Sequence, residues 1–140
     1  MSHEVSASEE NVVKVMVYSD NRTTRHDVMH TVGRRVAKDL PAIEWTEAAT
    51  WEAAYLLVEE NHFDLLILDG ETAKLGGIGF GKMVRDELVA DMPFIVLIGR
   101  PQDEWLARVS RPNAIVSFPI ESSELNSAVA AILRSRGSRA

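Results

Sequence analysis

The chain contains no cysteine, which excludes both a disulfide framework and a thiolate metal site. Long apolar runs are also missing. The longest reach only about six residues, against the ~20 that a membrane-spanning helix needs. The opening segment, Met1 to Glu10, is polar and acidic. It has neither the basic start nor the apolar stretch of a secretion signal, so a cytoplasmic location is the default expectation. An excess of basic residues is absent too. The formal net charge is −6, which disfavours nonspecific contact with nucleic acid. Neither DNA binding by this chain alone nor membrane insertion is expected.

What is present fits one globular domain. The chain has 140 residues, of which 46% are hydrophobic and 26% charged, and a chain of this length can bury a self-sufficient core. Three short apolar runs, Val12 to Tyr18 (VVKVMVY), Leu65 to Leu68 (LLIL) and Phe94 to Ile98 (FIVLI), read as strands buried on both faces. Ile43 to Ala48 alternates and suits an edge strand, and Ala114 to Phe118 supplies a fifth.

Helical patterns lie between these strands. Val28, Val32 and Val36 recur every four residues, with Met29 and Leu40 on the same side. Trp51, Ala54, Tyr55 and Val58 mark a second helix, and Phe80, Met83, Val84 and Leu88 a third. Trp105, Leu106 and Val109 mark a short fourth. Leu125, Ala128, Val129, Ile132 and Leu133 mark the last, with Ser122 as its expected N-cap. The alternation predicts an α/β fold: a flavodoxin-like doubly wound (βα)5 sandwich with a five-stranded parallel sheet in the order 2-1-3-4-5. The expected organisation is a tail over 1–11, the domain over 12–134 and a C-terminal tail over 135–140.

In such a sheet, ligands bind beyond the carboxyl ends of the strands where the strand order reverses, here between the first and third strands. The first strand ends in Ser19-Asp20 and the third in Asp69. Two carboxylates with backbone carbonyls and water suit Mg²⁺, and a carboxylate so placed can accept a phosphoryl group. Either residue alone reads more readily as a turn or capping residue after a strand; the pair at the switch point favours a site.

The segments KVMVYSDN, FDLLILDGETAKLGG, PFIVLIGR and AIVSFPI together make the chain resemble the receiver domain of bacterial response regulators over about Val12 to Arg134. The resemblance implies that Asp69 is the phospho-acceptor, that Gly77 is the glycine eight residues beyond it, and that Mg²⁺ would be held by Asp20, Asp69 and the backbone carbonyl of Glu71. It implies a Phe118–Pro119 bond that is often cis in the family.

Several positions depart from the family pattern. Ser19 replaces the first residue of the acidic pair, and Thr72-Ala73 replaces the usual Met-Pro. Ile98 stands at the hydroxyl switch position, Ile115 at the aromatic switch position, and Phe118 where the family has lysine. Phosphoryl transfer needs charge neutralisation and positioned donors; Phe118 supplies neither, and Ile98 cannot hydrogen-bond a phosphate. Arg100 and Lys74 are the candidate substitute cations, with solvated surface positions as the plainer reading.

Three further features carry less. GGIGFGKM, from Gly76 to Met83, nearly matches a phosphate-binding loop. It lacks the final hydroxyl and does not follow its strand directly. Its glycines suggest mobility. His26 and His30 are spaced four apart but face away from the valine stripe and lack a third ligand. Trp105 is open between core packing and a partner-docking face.

The sequence therefore reads as an atypical, stand-alone receiver that is not an enzyme. It is expected to signal by binding another protein, a histidine kinase or a downstream target, with phosphorylation of Asp69 impaired. A homodimer is compatible with it. One alternative is a working phospho-acceptor fed by Mg²⁺-dependent transfer from a histidine kinase. A remoter one is a nucleotide- or flavin-binding protein on the same fold.

Overall fold

The computed structural model describes residues 12–72 and 75–139. The N-terminal segment 1–11 and the candidate cation Lys74 lie outside the described residues. Five strands, β1 (Val12–Tyr18), β2 (Ala42–Ala48), β3 (Leu65–Asp69), β4 (Phe94–Ile98) and β5 (Ala114–Ser117), form one parallel sheet in the order β2-β1-β3-β4-β5. The helices are α1 (Arg22–Val32), α2 (Trp51–Glu60), α3 (Gly77–Glu87), α4 (Glu104–Arg108) and α5 (Ser122–Arg139), with a 3-10 turn at Pro101–Asp103 before α4. This is the architecture expected from the alternation of patterns.

The near-continuous apolar strands divide their side chains between two faces because successive residues point in opposite directions. Val15, Val17, Leu65, Ile67, Ile95, Leu97 and Val116 pack with Val28 and Val32 of α1 and Leu125, Val129 and Leu133 of α5. Met16, Tyr18, Leu66, Leu68, Phe94, Val96 and Ile98 pack on the other side with Ala54 and Val58 of α2 and Phe80 and Val84 of α3. All five residues of β3 and of β4 are buried, whereas β2, at one edge of the sheet, buries only Ile43 and Ala48. The sheet is thus covered on both faces, and the strand ends are left to carry polar groups.

Three local expectations are corrected. The valine repeat predicts a first helix running toward Leu40, but α1 stops at Val32. Gly33 takes φ +78 there, a conformation open to glycine at little cost. The Trp45 indole N–H donates to the Gly33 carbonyl at 2.9 Å and ties this exit to β2. Val36 and Leu40 still reach the same core, without helical geometry. Ser122 is the first helical residue of α5 and not its cap, since Leu125 N–H donates to the Glu121 carbonyl at 3.0 Å. Finally, α5 continues through 135–139, which the polar composition assigned to a tail. Arg136 lies 3.7 Å from the Asp64 carboxylate, so this extension meets the domain. The Phe118–Pro119 bond is cis.

Candidate functional site

The reversal in strand order sets the carboxyl ends of β1 and β3 side by side, paired in register up to Tyr18 and Leu68. Asp69 is the last residue of β3 and is buried, 4% exposed. Ser19, just past β1, is fully buried, and its hydroxyl donates to Asp69 Oδ2 at 2.7 Å. The Glu71 backbone N–H donates to Asp69 Oδ1 at 2.9 Å. Thr72 turns the chain back on itself: its hydroxyl donates to the Asp69 carbonyl at 3.0 Å. Each carboxylate oxygen of Asp69 therefore has a donor of its own.

Electrostatically, Asp69 is pulled two ways. Burial raises its pKa above the ordinary carboxylate value. The hydrogen bonds from Ser19 and from the Glu71 amide work against that rise, and the charges of Asp20 and Glu71 add to it; the net direction is upward. The sign for stability follows. A carboxyl that holds its proton more tightly in the folded chain contributes fully below its unfolded pKa, and that contribution is lost as pH rises through the folded value. Asp69→Asn is therefore expected to raise the melting temperature at neutral pH. An asparagine oxygen can take the Glu71 amide while its nitrogen donates to the Ser19 oxygen. A gain of a few degrees, the size that ~1 kcal/mol makes in a domain of this length, should shrink toward pH 3–4. Thermal melts of both chains across that range check it; an equal or lower midpoint at pH 7 would refute the reading of Asp69 as a strained buried charge.

Asp20 follows Ser19 and is exposed. Its charge acts on both Asp69 and Tyr18. Tyr18 is buried, 5.1 Å from the Phe80 ring between centroids, and its hydroxyl donates to the Leu75 carbonyl at 2.6 Å. Burial, followed by the neighbouring carboxylates Asp20, Glu52 and Asp69, pushes its pKa up to about 12. The phenol thus keeps its proton and fastens Leu75 to the end of β1. Arg25 of α1 donates to the Ser19 carbonyl at 2.7 Å and pairs with Glu47 of β2 at 2.9 Å. Asn21 caps α1, accepting from the amides of Thr23 and Thr24.

The remaining expected positions are apolar or turned to other partners. Ile98 is 1% exposed and belongs to the core on the α2–α3 side, where Ile115 also packs. Phe118 packs against the core on the α1–α5 side, and its N–H donates to the Ile98 carbonyl at 2.9 Å. Arg100, expected as a substitute cation, instead grips Asp103 with Nε at 3.2 Å and Nη2 at 3.1 Å in an exposed pair. Its fork matches a carboxylate three residues ahead, which a long solvent-facing side chain reaches without crossing into the crevice. Trp105 is 70% exposed, with Leu106 and Val109 exposed beside it; α4 is so short that only Ala107 turns inward. His26 and His30 are exposed.

The residues do not assemble a full Mg²⁺ site. Asp20, Asp69 and the Glu71 carbonyl are hard oxygen donors of the right kind. However, no group of three or more His, Cys, Asp or Glu that could hold a metal occurs among the described residues. The Ser19 hydroxyl also occupies the Asp69 oxygen that faces β1.

The glycines of GGIGFGKM serve close packing. A Cβ on Gly77 would lie 2.7 Å from Leu68 Cβ and 2.9 Å from the Leu68 carbonyl. One on Gly81 would lie 2.5 Å from the Phe94 ring. These two positions share one face of α3 and bring it onto β3 and β4. The sequence-based expectation of a mobile glycine loop is corrected to that extent, since the helix starts at Gly77. Arg85, on the same helix, lays its guanidinium 4.3 Å over the Phe94 ring.

No protein-family model matches the sequence. The chain is, however, 41% identical over 122 residues to an uncharacterized response regulatory protein of Mycobacterium tuberculosis, found in two strains. That span covers 87% of this chain and 92% of the relative. The chain belongs to the response-regulator family. The receiver fold is matched by the receiver domain of a Francisella response regulator at TM-score 0.74 and 20% identity, covering 89% of this chain and 98% of that one. The Vibrio cholerae chemotaxis protein CheY4 matches at TM-score 0.72 and 22% identity, covering 87% of this chain and 99% of that one. As a response-regulator receiver, the chain is a domain of two-component signalling, a class that is in general not enzymatic and that interacts with kinases or effectors. Receivers typically bind Mg²⁺ at the phosphorylation site. Among the described residues, no helix is long and apolar enough to cross a membrane.

Sequence reasoning placed Ser19, Asp20, Asp69, Ile98 and Phe118 around this crevice. It missed the Tyr18–Leu75 tie, the Arg25–Ser19 contact and the use made of the Glu71 side chain. Tyr18 was hidden inside an apolar run. Arg25 was one cation among 15 Lys and Arg, and its choice of partner depends on how α1 sits over β1 and β2.

Proposed function

We propose that this receiver signals mainly by binding another protein, with phosphorylation at Asp69 impaired. The observation that carries the reading is the lining of the crevice. Asp69 meets a neutral hydroxyl and a backbone amide, while Ile98 and Phe118, at the positions where the family has a hydroxyl and a lysine, are apolar and pack with the two cores, and so offer an incoming phosphoryl group neither a donor nor a cation. The exposed Trp105 and Leu106 of α4, with Val109 just after it, offer a docking face of the kind in which an aromatic anchor supplies much of the affinity. The partner would be a histidine kinase or a downstream target.

A second reading keeps Asp69 as a working acceptor. The charge of Asp20 bears on Asp69, and with Glu71 these groups could hold Mg²⁺ weakly alongside incoming phosphate oxygens. An Asp69 oxygen would form the new bond to phosphorus as the bond to the donor's leaving atom breaks, the imidazole nitrogen of a phosphohistidine or the acyl oxygen of acetyl phosphate. The nucleotide- or flavin-binding reading loses its sequence support, because Gly77 and Gly81 are used for helix–sheet packing.

Intact-mass measurement after incubation with acetyl phosphate and Mg²⁺ separates the first two. Slow, substoichiometric gain of one phosphoryl group, abolished by Asp69→Asn, is the expected result. Rapid full conversion would replace the first reading by the second. For the binding role, affinity capture with the parent and with Trp105→Ala should return one stable partner that the variant loses. No partner in any phosphorylation state would count decisively against it.

A further inference from the structure

Glu71 is the residue whose placement the functional reading leaves unused. Its backbone N–H belongs to Asp69, but its side chain reaches across the crevice mouth to the end of β4. There Glu71 Oε2 accepts the Gly99 backbone N–H at 3.0 Å. The contact is seated closely: a Cβ on Gly99 would lie 2.9 Å from Glu71 Cδ and 3.1 Å and 3.2 Å from its two oxygens. Only a glycine lets the carboxylate settle flat on this backbone. Beside Gly99, Ile98 carries no hydroxyl, and the Arg100 guanidinium grips Asp103 while its charge also acts with Glu71.

A free amide beside a buried carboxylate, at the end of a parallel strand, is the donor that an anion arriving at Asp69 would use. In this chain that donor is already engaged by an anion. We infer that Glu71 is an internal competitor: its carboxylate occupies the Gly99 amide and must be displaced before a phosphoryl-like group on Asp69 can engage the β4 end. The inference rests on reading Asp69 as the candidate acceptor and deepens it, since it names a contact that would keep phosphorylation inefficient. The competition has two parts. One is the hydrogen bond itself. The other is repulsion between two anions close together in a partly desolvated crevice.

Three variants separate these parts. Glu71→Ala removes both. Glu71→Gln keeps an acceptor for Gly99 and removes the charge. Gly99→Ala leaves Glu71 intact and expels its carboxylate, which as the end of a flexible side chain can swing away. The readouts are amide exchange and chemical shift at position 99 in the full chain, titrated with beryllofluoride and Mg²⁺ as the phosphoryl-like probe.

Glu71→Ala should speed exchange of the Gly99 amide about tenfold and lower the half-saturating beryllofluoride concentration about tenfold, the scale of one charge-assisted hydrogen bond. Glu71→Gln should retain most of the amide protection and show part of the gain in binding. Gly99→Ala, which frees the amide but keeps the Glu71 charge, should lose the amide protection and show the other part of the gain in binding. A Glu71→Ala chain within twofold of the parent in both readouts overturns the inference. So does lost amide protection with no gain in beryllofluoride binding, because Glu71 would then be a structural clasp only. Failure of the acceptor reading looks different. In that case beryllofluoride moves no resonance near Asp69 in any chain, including one carrying Ser19→Asp. Binding to the Ser19→Asp chain that ignores Glu71→Ala removes the Glu71 inference alone.

Discussion

A chain carrying both Ser19→Asp and Phe118→Lys is expected to accept a phosphoryl group from acetyl phosphate at least about 10²-fold faster than the parent in the presence of Mg²⁺. The scale is that of restoring one missing transition-state donor; two restored groups that share a site need not multiply. Ser19 is fully buried with its hydroxyl 2.7 Å from Asp69 Oδ2, so an aspartate there sets a third carboxylate beside Asp20 and Asp69. That completes the oxygen set a hard divalent cation needs. A lysine at 118 would stand at the end of β5, where the Phe118 amide already holds the Ile98 carbonyl. Its alkyl stem can lie over the apolar surface that Phe118 now covers while the ammonium reaches water and the crevice.

The same variant has a cost that serves as a control. Without a divalent cation, Ser19→Asp places a second buried negative charge against Asp69 and removes its hydroxyl donor. A loss of about 2–3 kcal/mol is expected, recovered on adding Mg²⁺ as ligand linkage requires. Melts with and without Mg²⁺, together with intact-mass time courses, check both halves. If the double variant is no faster than the parent, the missing groups at 19 and 118 are not what limits Asp69.

Gly77→Ala is expected to cost about 2–3 kcal/mol, although alanine is the better helix former. Its Cβ would overlap Leu68 Cβ at 2.7 Å and the Leu68 backbone at 2.9 Å. Backbone in the middle of a fully buried strand cannot swing aside, so α3 must lift from the sheet, and overpacking of this kind costs ~1–3 kcal/mol. Leu68 precedes Asp69, so the shift should also disturb the crevice. Gly79→Ala is the internal comparison. Gly79 is exposed, and its added Cβ would meet only the Leu75 side-chain tip at 3.0 Å. Helix propensity should then prevail, giving a neutral result or a gain of up to ~1 kcal/mol. Denaturant unfolding of the two variants beside the parent decides it. A glycine run that was merely a supple loop, or one that cradled a phosphate, would tolerate alanine at 77 about as well as at 79.

Much of the fold was legible because its signals are local. A buried parallel strand needs a short β-branched or leucine-rich run, and β1, β3 and β4 are such runs. The polar residues interleaved through Ile43–Ala48 announced an edge strand, and β2 does lie at one edge of the sheet. Elements ended less predictably. The valine repeat continued past Gly33, yet the helix did not. A glycine's choice of positive φ depends on what holds it there, in this case the Trp45 indole on β2. The last helix outran its apolar stripe, and Arg136 found Asp64 from a segment with no periodic signal.

By itself, the sequence determined the ladder of strands, narrowed the strand order to a few of which the one found is the commonest, and set Ser19-Asp20 and Asp69 at the ends of the first and third strands. Each is either a local property or a consequence of topology. Which groups touch was decided only by the tertiary structure. Ser19 and Glu71 share the two oxygens of Asp69, Arg100 turns to Asp103, Trp105 faces solvent, and the Glu71 carboxylate holds Gly99. These are contests between several partners within reach of one side chain. Distance, burial and packing of segments far apart in sequence settle them, and none of those quantities is written in the order of residues along the chain.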